Sequence, residues 1–176
     1  MASRRAPSVQ PRAETRTLYS DAERRRRDAS RWTLVQGVLA PLQFVAFAVS
    51  LCLVVRFLAT GEGWYAATAS IVVKTLFLYA IMVTGSLWEH DVFGRYLFAR
   101  PFFWEDVVSI LVLALHTAYL AALATGALPP RQQMYLALAA YASYVVNATQ
   151  FLLKLRAARR DSAARDCIEV VAEPAR

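Results

Sequence analysis

The residue types best suited to chemistry are concentrated in one short segment, residues 88–106, with the sequence WEHDVFGRYLFARPFFWED. We call it the polar stretch, and its ionisable side chains are Glu89, His90, Asp91, Arg95, Arg100, Glu105 and Asp106. Carboxyl groups act as general acids and bases, and a carboxyl in apolar surroundings keeps its proton near neutral pH. The sequence on both sides is apolar for the length of a membrane span. We therefore expect the polar stretch to form the mouth of an active site at a membrane surface.

The composition is that of a membrane protein. Hydrophobic residues make up 57% of the 176 residues, which is more than a soluble domain of this size carries. The formal net charge of +7 comes largely from arginines that flank the apolar runs, and this position argues against nucleic-acid binding. Cys52 and Cys167 lack the spacing of a disulfide or a zinc site. The first apolar run is too long for a cleaved signal peptide, so we expect it to stay in the protein.

The elements that must position the polar stretch are four predicted membrane spans. Apolar runs of this length cross the ~30 Å hydrocarbon layer when they rise 1.5 Å per residue as helices. Pro41 lies inside the first run and predicts a kink there. The predicted fold class is therefore all-α, a four-span transmembrane helical bundle forming one domain over residues 20–156. The predicted spans are about residues 32–58, 64–87, 107–125 and 134–155.

The two ends of the chain are polar. Residues 1–19 and 157–176 contain few large apolar side chains, so we expect disordered tails. Ser20 and Glu23 have the spacing of a capping box and predict a helix start before the first span. Basic residues fall mostly on one side of the spans, which predicts that both termini and the polar stretch are cytoplasmic. They are Arg24 to Arg27, Arg31, Arg95, Arg100, Lys154, Arg156, Arg159 and Arg160.

Polar side chains inside the spans form stripes along single helix faces. Interhelical hydrogen bonds, worth ~0.6 kcal/mol each, explain most of them. Lys74 and His116 need a further explanation. Inserting a lysine at the membrane centre costs roughly 2.5–3.5 kcal/mol of free energy, so the lysine calls for a partner or a function. By rise per residue both lie about 15–20 Å from the cytoplasmic interface, so they can share one layer in a structural or a functional role. The stripes are Gln36, Gln43 and Ser50; Glu105, Ser109 and His116; and Ser143, Asn147, Gln150 and Lys154.

The acids of the polar stretch divide into two pairs. Glu105 and Asp106 follow Pro101 and suit the first turn of a helix, where carboxylates meet the positive end of the helix dipole. Glu89 and Asp91 follow the end of the second span, where the dipole disfavours negative charge. Helix energetics therefore explains the first pair better than the second, and Glu89 is the stronger candidate for a functional role.

Several runs of the sequence resemble one known family. They are RRDASRWTLVQGVLAPLQF, ATGEG, VKTLFLYAIMVTGSLWEHDVFGRYLFARPFFWEDVVS, ALHTAYL and YVVNATQFLLKLR. In this order they are similar to the vinyl chlorophyllide hydratase family of bacteriochlorophyll biosynthesis, also named 2-vinyl or 3-vinyl bacteriochlorophyllide hydratases, over about residues 20–156. The resemblance implies addition of water to the vinyl group of chlorophyllide a, giving the 1-hydroxyethyl derivative. It also implies a multi-pass protein of the bacterial cytoplasmic or intracytoplasmic photosynthetic membrane.

The implied reaction needs an acid, a positioned water and a base, but no redox or other cofactor and no metal of the protein's own. Protonation of the terminal vinyl carbon creates a cation beside the ring, which water then captures. Glu89 or Glu105 beneath aromatic side chains is the candidate acid, and Asp91 is a further catalytic candidate. His90 stands where the family commonly has a lysine, so the resemblance assigns it no role.

The substrate of the implied reaction is a magnesium tetrapyrrole, and several residues suit parts of it. The imidazole of His116 could ligate the magnesium, and Arg95 or Arg100 could pair with the propionate. One bundle or a homo-oligomer within the lipid bilayer could enclose so large a ligand. The other candidate substrate contacts are Lys74, Asn147 and Gln150.

Other classes of protein compete with this interpretation. A non-catalytic pigment carrier or assembly factor would have the same aromatic mouth, but it would leave the absorption of the pigment unshifted. A small transporter that uses Lys74 is disfavoured because the sequence shows no clear internal repeat or matched broken spans. A diheme cytochrome is disfavoured because the two histidines, His90 and His116, lie at different depths.

Overall fold

The computed structural model describes residues 19–172, and this part of the chain is entirely helical and connecting loop. Its helices are α1 (Asp21–Ala29), α2 (Arg31–Thr60), α3 (Trp64–Phe93), α4 (Phe103–Thr125) and α5 (Pro130–Ala172). Four segments are long and apolar enough to cross a membrane, namely Arg31–Thr60, Trp64–Phe93, Phe103–Thr125 and Pro130–Arg160. The prediction of an all-α, four-span bundle is confirmed.

The start of the first helix follows the predicted capping box. The Ser20 side chain accepts a hydrogen bond from the Glu23 backbone N–H at 3.3 Å, and the Ser20 N–H donates to the Glu23 carboxylate at 2.8 Å. Ser30 then interrupts the helix with an extended backbone (φ −74°, ψ 127°), ending α1 and capping α2. The basic α1 is therefore a separate element, and it packs against α3.

The polar stretch is mostly helical, which differs from the predicted long connector. Helix α3 continues to Phe93, past the predicted end of the second span at Leu87, and α4 begins at Phe103 instead of Val107. Backbone hydrogen bonding continues beyond the apolar run, and α3 stops only where Gly94 adopts a left-handed conformation at φ 73°. The acids consequently lie on helix ends, and residues 94–102 alone form the connecting loop.

The last helix is also longer than the predicted fourth span. Helix α5 runs through residues 157–172, most of the predicted C-terminal tail. Alanine and arginine, which dominate the first part of this segment, are good helix formers even where little apolar surface is available for packing. Residues 1–18 and 173–176, which complete the two predicted tails, lie outside the described residues.

The bundle is built from two helical hairpins. Helix α2 packs mainly on α3, and α4 packs mainly on α5. Apolar side chains from all four helices fill the space between the hairpins, among them Phe47, Val54, Ile71, Val112 and Met134. Large apolar residues on the outside, such as Leu34, Phe44 and Leu152, remain exposed in the isolated chain. This is the arrangement expected when lipid covers the outer surface.

A second, smaller apolar cluster lies at the end of the bundle that carries the polar stretch. Tyr19, Val92, Phe102 and Ala158 are buried there, and Trp88, Phe93 and Phe151 pack against them. These residues come from the segment before α1, from the end of α3, from the 94–102 loop itself and from α5. The cluster therefore fixes the loop and the acidic helix ends against the rest of the protein.

Candidate functional site

Two carboxyl groups meet where α3 ends and α4 begins. Glu89 is 5% exposed and Asp106 is 4% exposed, and their side chains lie close enough together for their charges to interact. Two adjacent buried acids can hold one proton between them, because two like charges at such a site repel each other. We refer to Glu89 and Asp106 as the carboxyl pair.

The 94–102 loop holds the carboxyl pair in place through its backbone. The Ala99 N–H donates to Glu89 Oε2 at 3.3 Å, and the Phe98 N–H donates to Asp106 Oδ2 at 2.6 Å. Phe98 has a φ of 60°, a conformation that is uncommon for a bulky side chain and is kept only where the surroundings enforce it. The loop backbone is thus strained at Phe98, and two of its N–H groups donate hydrogen bonds to the two acids.

A third buried acid beside the pair is ionically bound. Glu105 is 8% exposed, and its carboxylate contacts Lys154 Nζ of α5 at 2.6 Å. Lys154 also donates to the Pro101 carbonyl oxygen and lies 4.7 Å from the centre of the Phe102 ring. One lysine therefore ties α5 to the loop, and its charge also acts on the carboxyl pair.

Aromatic side chains from the second apolar cluster lie around these acids. Tyr19 stacks on Phe93 at 5.9 Å between ring centres, and Trp88 meets Phe102 edge-on at 5.5 Å. Arg27 lies over the Tyr19 ring at 5.1 Å. Burial raises the pKa of Tyr19 to about 12, although Arg27 opposes this shift, so its phenol stays neutral. The aromatic rings shield the acidic group and offer flat apolar surface.

A small cavity opens next to the loop. Its volume is about 190 Å³, and both arginines that line it, Arg95 and Arg100, are exposed. Such a space accommodates a carboxylate-bearing side chain, but it is too small for a tetrapyrrole ring. His90 lies outside this lining and stacks on Tyr96, with 4.3 Å between ring centres. The complete lining is Glu23, Phe93, Arg95, Ala99, Arg100 and Pro101.

The structure places Asp91 away from the carboxyl pair. It is exposed and accepts a hydrogen bond from the Ser30 hydroxyl at 2.8 Å. Nearby, the Trp88 indole N–H donates to the Thr33 hydroxyl at 3.0 Å. Both bonds attach the junction between α1 and α2 to the end of α3, so Asp91 has a structural partner at this contact.

Lys74 and His116 meet in the middle of the bundle, as predicted for residues of one layer. Lys74 Nζ is 2.5 Å from His116 Nε2, and His116 Nδ1 donates to the Val112 carbonyl at 2.8 Å. The rings of Tyr144 and Tyr141 lie 4.3 and 5.0 Å from Lys74 Nζ. Both nitrogens of the imidazole are thus engaged, and neither is available to magnesium while Lys74 stays in place.

Further polar contacts lie at the α4–α5 interface, between the Lys74–His116 contact and the acids at the end of the bundle. Ser109 and Asn147 exchange two hydrogen bonds, at 2.9 and 3.2 Å. The Gln150 amide oxygen is buried without a hydrogen-bond partner among the described residues. No group of three or more histidine, cysteine or acidic residues in the described chain could hold a metal ion.

Sequence reasoning missed two members of this site. The sequence explains Asp106 by the helix dipole, and it places Lys154 only among the orienting basic residues and in the polar stripe of the fourth span. A usable signal was present for Lys154. Along two antiparallel helices the residue numbers rise on one helix as they fall on the other, so facing residues have nearly the same sum of residue numbers. A register that places Ser109 opposite Asn147 therefore also brings Glu105 to Lys154. Asp106 offered no such signal, because its pairing with Glu89 depends on the path of the loop.

Fold and site together define the class: a four-span helical membrane protein with a buried carboxyl pair at one end of its bundle. The family model for 2-vinyl bacteriochlorophyllide hydratase matches residues 19–157. The chain therefore belongs to the 2-vinyl bacteriochlorophyllide hydratase family, which confirms the resemblance.

Two relatives show how extensive the similarity is. A Rhodobacter capsulatus protein named 2-vinyl bacteriochlorophyllide hydratase is 62% identical over 167 residues, covering 95% of this chain and 97% of the relative. A Cereibacter sphaeroides protein of the same name is 66% identical over 151 residues, covering 86% of this chain and 94% of the relative. No solved structure matches the chain.

Proposed function

We propose that this chain is a hydratase that adds water to the C3 vinyl group of chlorophyllide a or a related bacteriochlorophyllide, giving the 1-hydroxyethyl derivative. Membership of the hydratase family supports the reaction. The carboxyl pair is the structural observation that carries the mechanism, because two adjacent buried acids can hold the proton that the first step needs.

The first step is proton transfer from the carboxyl pair to the substrate. The vinyl π electrons form a C–H bond at the terminal carbon, while the shared proton leaves Glu89 or Asp106. The carbon next to the ring becomes a cation, which the macrocycle delocalises. The pair is then doubly anionic and stabilises this positive charge, so it contributes more to the transition state than to the bound substrate.

The second step is capture of the cation by water. Glu105 is the base that accepts the proton released when the water oxygen bonds to carbon. Its ion pair with Lys154 fixes the position of the carboxylate beside the water that it serves. Proton return from Glu105 to the carboxyl pair, directly or through solvent, completes the cycle.

The substrate would lie across the aromatic surface at this end of the bundle. The cavity beside the loop suits the propionate, with the guanidinium groups of Arg95 and Arg100 as partners. The apolar macrocycle would then extend from the cavity toward the bilayer, where the outer surface of the helices is apolar. In this proposal the site faces the cytoplasm, in the photosynthetic membrane of a bacterium, and a second copy could complete the pigment enclosure.

Membranes containing the full chain and supplied with chlorophyllide a provide the test. Hydration adds the mass of one water and shifts the absorption to the blue, because the vinyl conjugation is lost. We expect Glu89→Gln and Asp106→Asn to bind the pigment without changing its mass. Glu62→Gln is the matched control, since Glu62 is an exposed acid at the opposite end of the bundle.

The outcomes of this test distinguish a hydratase from a non-catalytic pigment carrier. Wild-type protein that binds chlorophyllide a and leaves its mass unchanged would be a pigment carrier. Full activity in both carboxyl variants would show that the pair is not the acid.

A further inference from the structure

We propose that the amide oxygen of Gln150 positions the attacking water and thereby selects the face of the vinyl group that receives the hydroxyl. This inference rests on the proposed hydration and adds a positioning residue to it. It also predicts a property of the product, since a planar cation has two faces and a fixed water reaches only one of them.

The starting observation is an unused acceptor. The Gln150 amide oxygen is buried and has no hydrogen-bond partner in the described part of the chain. A buried polar atom without a partner lowers stability, and such atoms in native structures are usually completed by ordered water or by a ligand. Gln150 is therefore expected to bind a group that can donate a hydrogen bond.

The location of Gln150 connects this acceptor to the candidate base. On α5 it lies between Asn147 and Lys154, within about 60° of both around the helix axis. The two neighbours already have partners. Asn147 exchanges both of its hydrogen bonds with Ser109, and Lys154 contacts Glu105. Of these three polar side chains of α5, Gln150 is the one with a buried polar atom that lacks a partner among the described residues, and it lies one helical turn from the residue that holds Glu105.

The chemistry of the second step needs two acceptors around the water. A water molecule that attacks a cation must direct a lone pair at carbon, and its two O–H groups then need acceptors elsewhere. Glu105 supplies one acceptor and takes the proton as the C–O bond forms and one O–H bond breaks. Gln150 supplies the other and keeps its hydrogen bond to the newly formed hydroxyl. With the proton added in the first step, the balance is one water per vinyl group.

The test is the diastereomer ratio of the 1-hydroxyethyl product, measured by chromatography after incubation of full-chain membranes with chlorophyllide a. Wild-type protein should give one strongly predominant isomer. Gln150→Met, which keeps the side-chain length but lacks a comparable acceptor, should give a ratio near one to one. Its kcat should fall roughly tenfold with KM little changed, as expected for the loss of one positioning hydrogen bond.

Two further variants separate positioning from packing. Gln150→Glu retains an acceptor oxygen and should keep the wild-type ratio. Thr149→Val is the matched control, because the adjacent Thr149 is exposed and its hydroxyl donates only to Val145 of its own helix, at 2.8 Å. If Gln150→Met fails to accumulate, Gln150→Ala takes its place, since the ratio does not depend on protein yield.

The possible failures are distinguishable. A wild-type protein that hydrates nothing would overturn the proposed function itself. A wild-type protein that hydrates the pigment to an equal mixture of isomers would contradict the proposal that the attacking water is held on one face of the vinyl group. Active wild type with an unchanged isomer ratio in the Gln150 variants would remove Gln150 from its positioning role and leave the hydratase proposal intact.

Discussion

Two regions of this bundle bury ionisable side chains, and they do so differently. In the middle, Lys74 and His116 contact each other between two tyrosine rings, and the remaining imidazole nitrogen is bound to the helix backbone. At the end, Glu89 and Asp106 are buried and accept hydrogen bonds from the 94–102 loop, beside which a small cavity opens. Burial alone therefore does not identify a reactive group. In our proposal, a transferable proton and a route for substrate distinguish the end of the bundle from its middle.

The largest effect should come from the carboxyl pair. Glu89→Gln or Asp106→Asn should each lower the hydration rate by about 10²-fold or more, the usual contribution of a general acid. Because the two residues act as one unit, the double variant should lose little beyond either single variant. Rates on chlorophyllide a in membranes with matched protein content measure this, and fully additive losses would show two independent roles.

The Lys154 ion pair should show the next largest effect. Lys154→Met leaves Glu105 buried without its cation, so we expect a loss of about 3 kcal/mol in unfolding free energy. Adding Glu105→Gln to this variant should restore much of the stability but none of the activity, because the base is gone. Unfolding in detergent, followed together with hydration rates, tests both parts, and recovery of activity in the double variant would exclude Glu105 as the base.

Substitutions in the central layer of Lys74 and His116 should lower stability but leave activity almost unchanged. His116→Phe removes the acceptor of Lys74, and a buried donor without a partner costs about 1–3 kcal/mol. Pigment affinity and hydration rate should stay close to wild type once stability is allowed for, because neither residue touches the substrate in our account. Pigment titration of the purified variant is the appropriate measurement, and a clear loss of affinity would instead support His116 as the magnesium ligand.

The smallest effect is expected at Asp91. Asp91→Asn keeps the hydrogen-bonding shape at the exposed contact with Ser30, so stability should change by less than about 1 kcal/mol. Hydration should remain near the wild-type rate. A loss as large as that of Glu89→Gln would return Asp91 to the catalytic group, and it would make the carboxyl pair an incomplete description of the acid.

Several parts of this structure were predictable because they depend on local pattern. The four spans follow from apolar length, the start of α1 follows from Ser20 and Glu23, and the common depth of Lys74 and His116 follows from counting residues along helices. Each of these properties is set by residues close in sequence or by a regular helical rise.

The remaining parts depend on contacts between distant segments. Hydropathy ended the second span at Leu87, although backbone hydrogen bonds carry α3 on to Phe93. The pairing of Glu89 with Asp106 requires the loop to turn back through a left-handed Phe98, and nothing in the residue type of Phe98 indicates that conformation. Sequence pattern thus gathered the candidate acids within one stretch, but it could not show which of them lie next to each other.

The shared proton is the central claim, and infrared spectroscopy of the purified protein measures it most directly. We predict a protonated-carboxyl carbonyl band that shifts on exchange into deuterium oxide, disappears in both Glu89→Gln and Asp106→Asn, and persists in Glu62→Gln. A band that remains unchanged in both carboxyl variants would contradict the account, because the proton would then reside elsewhere.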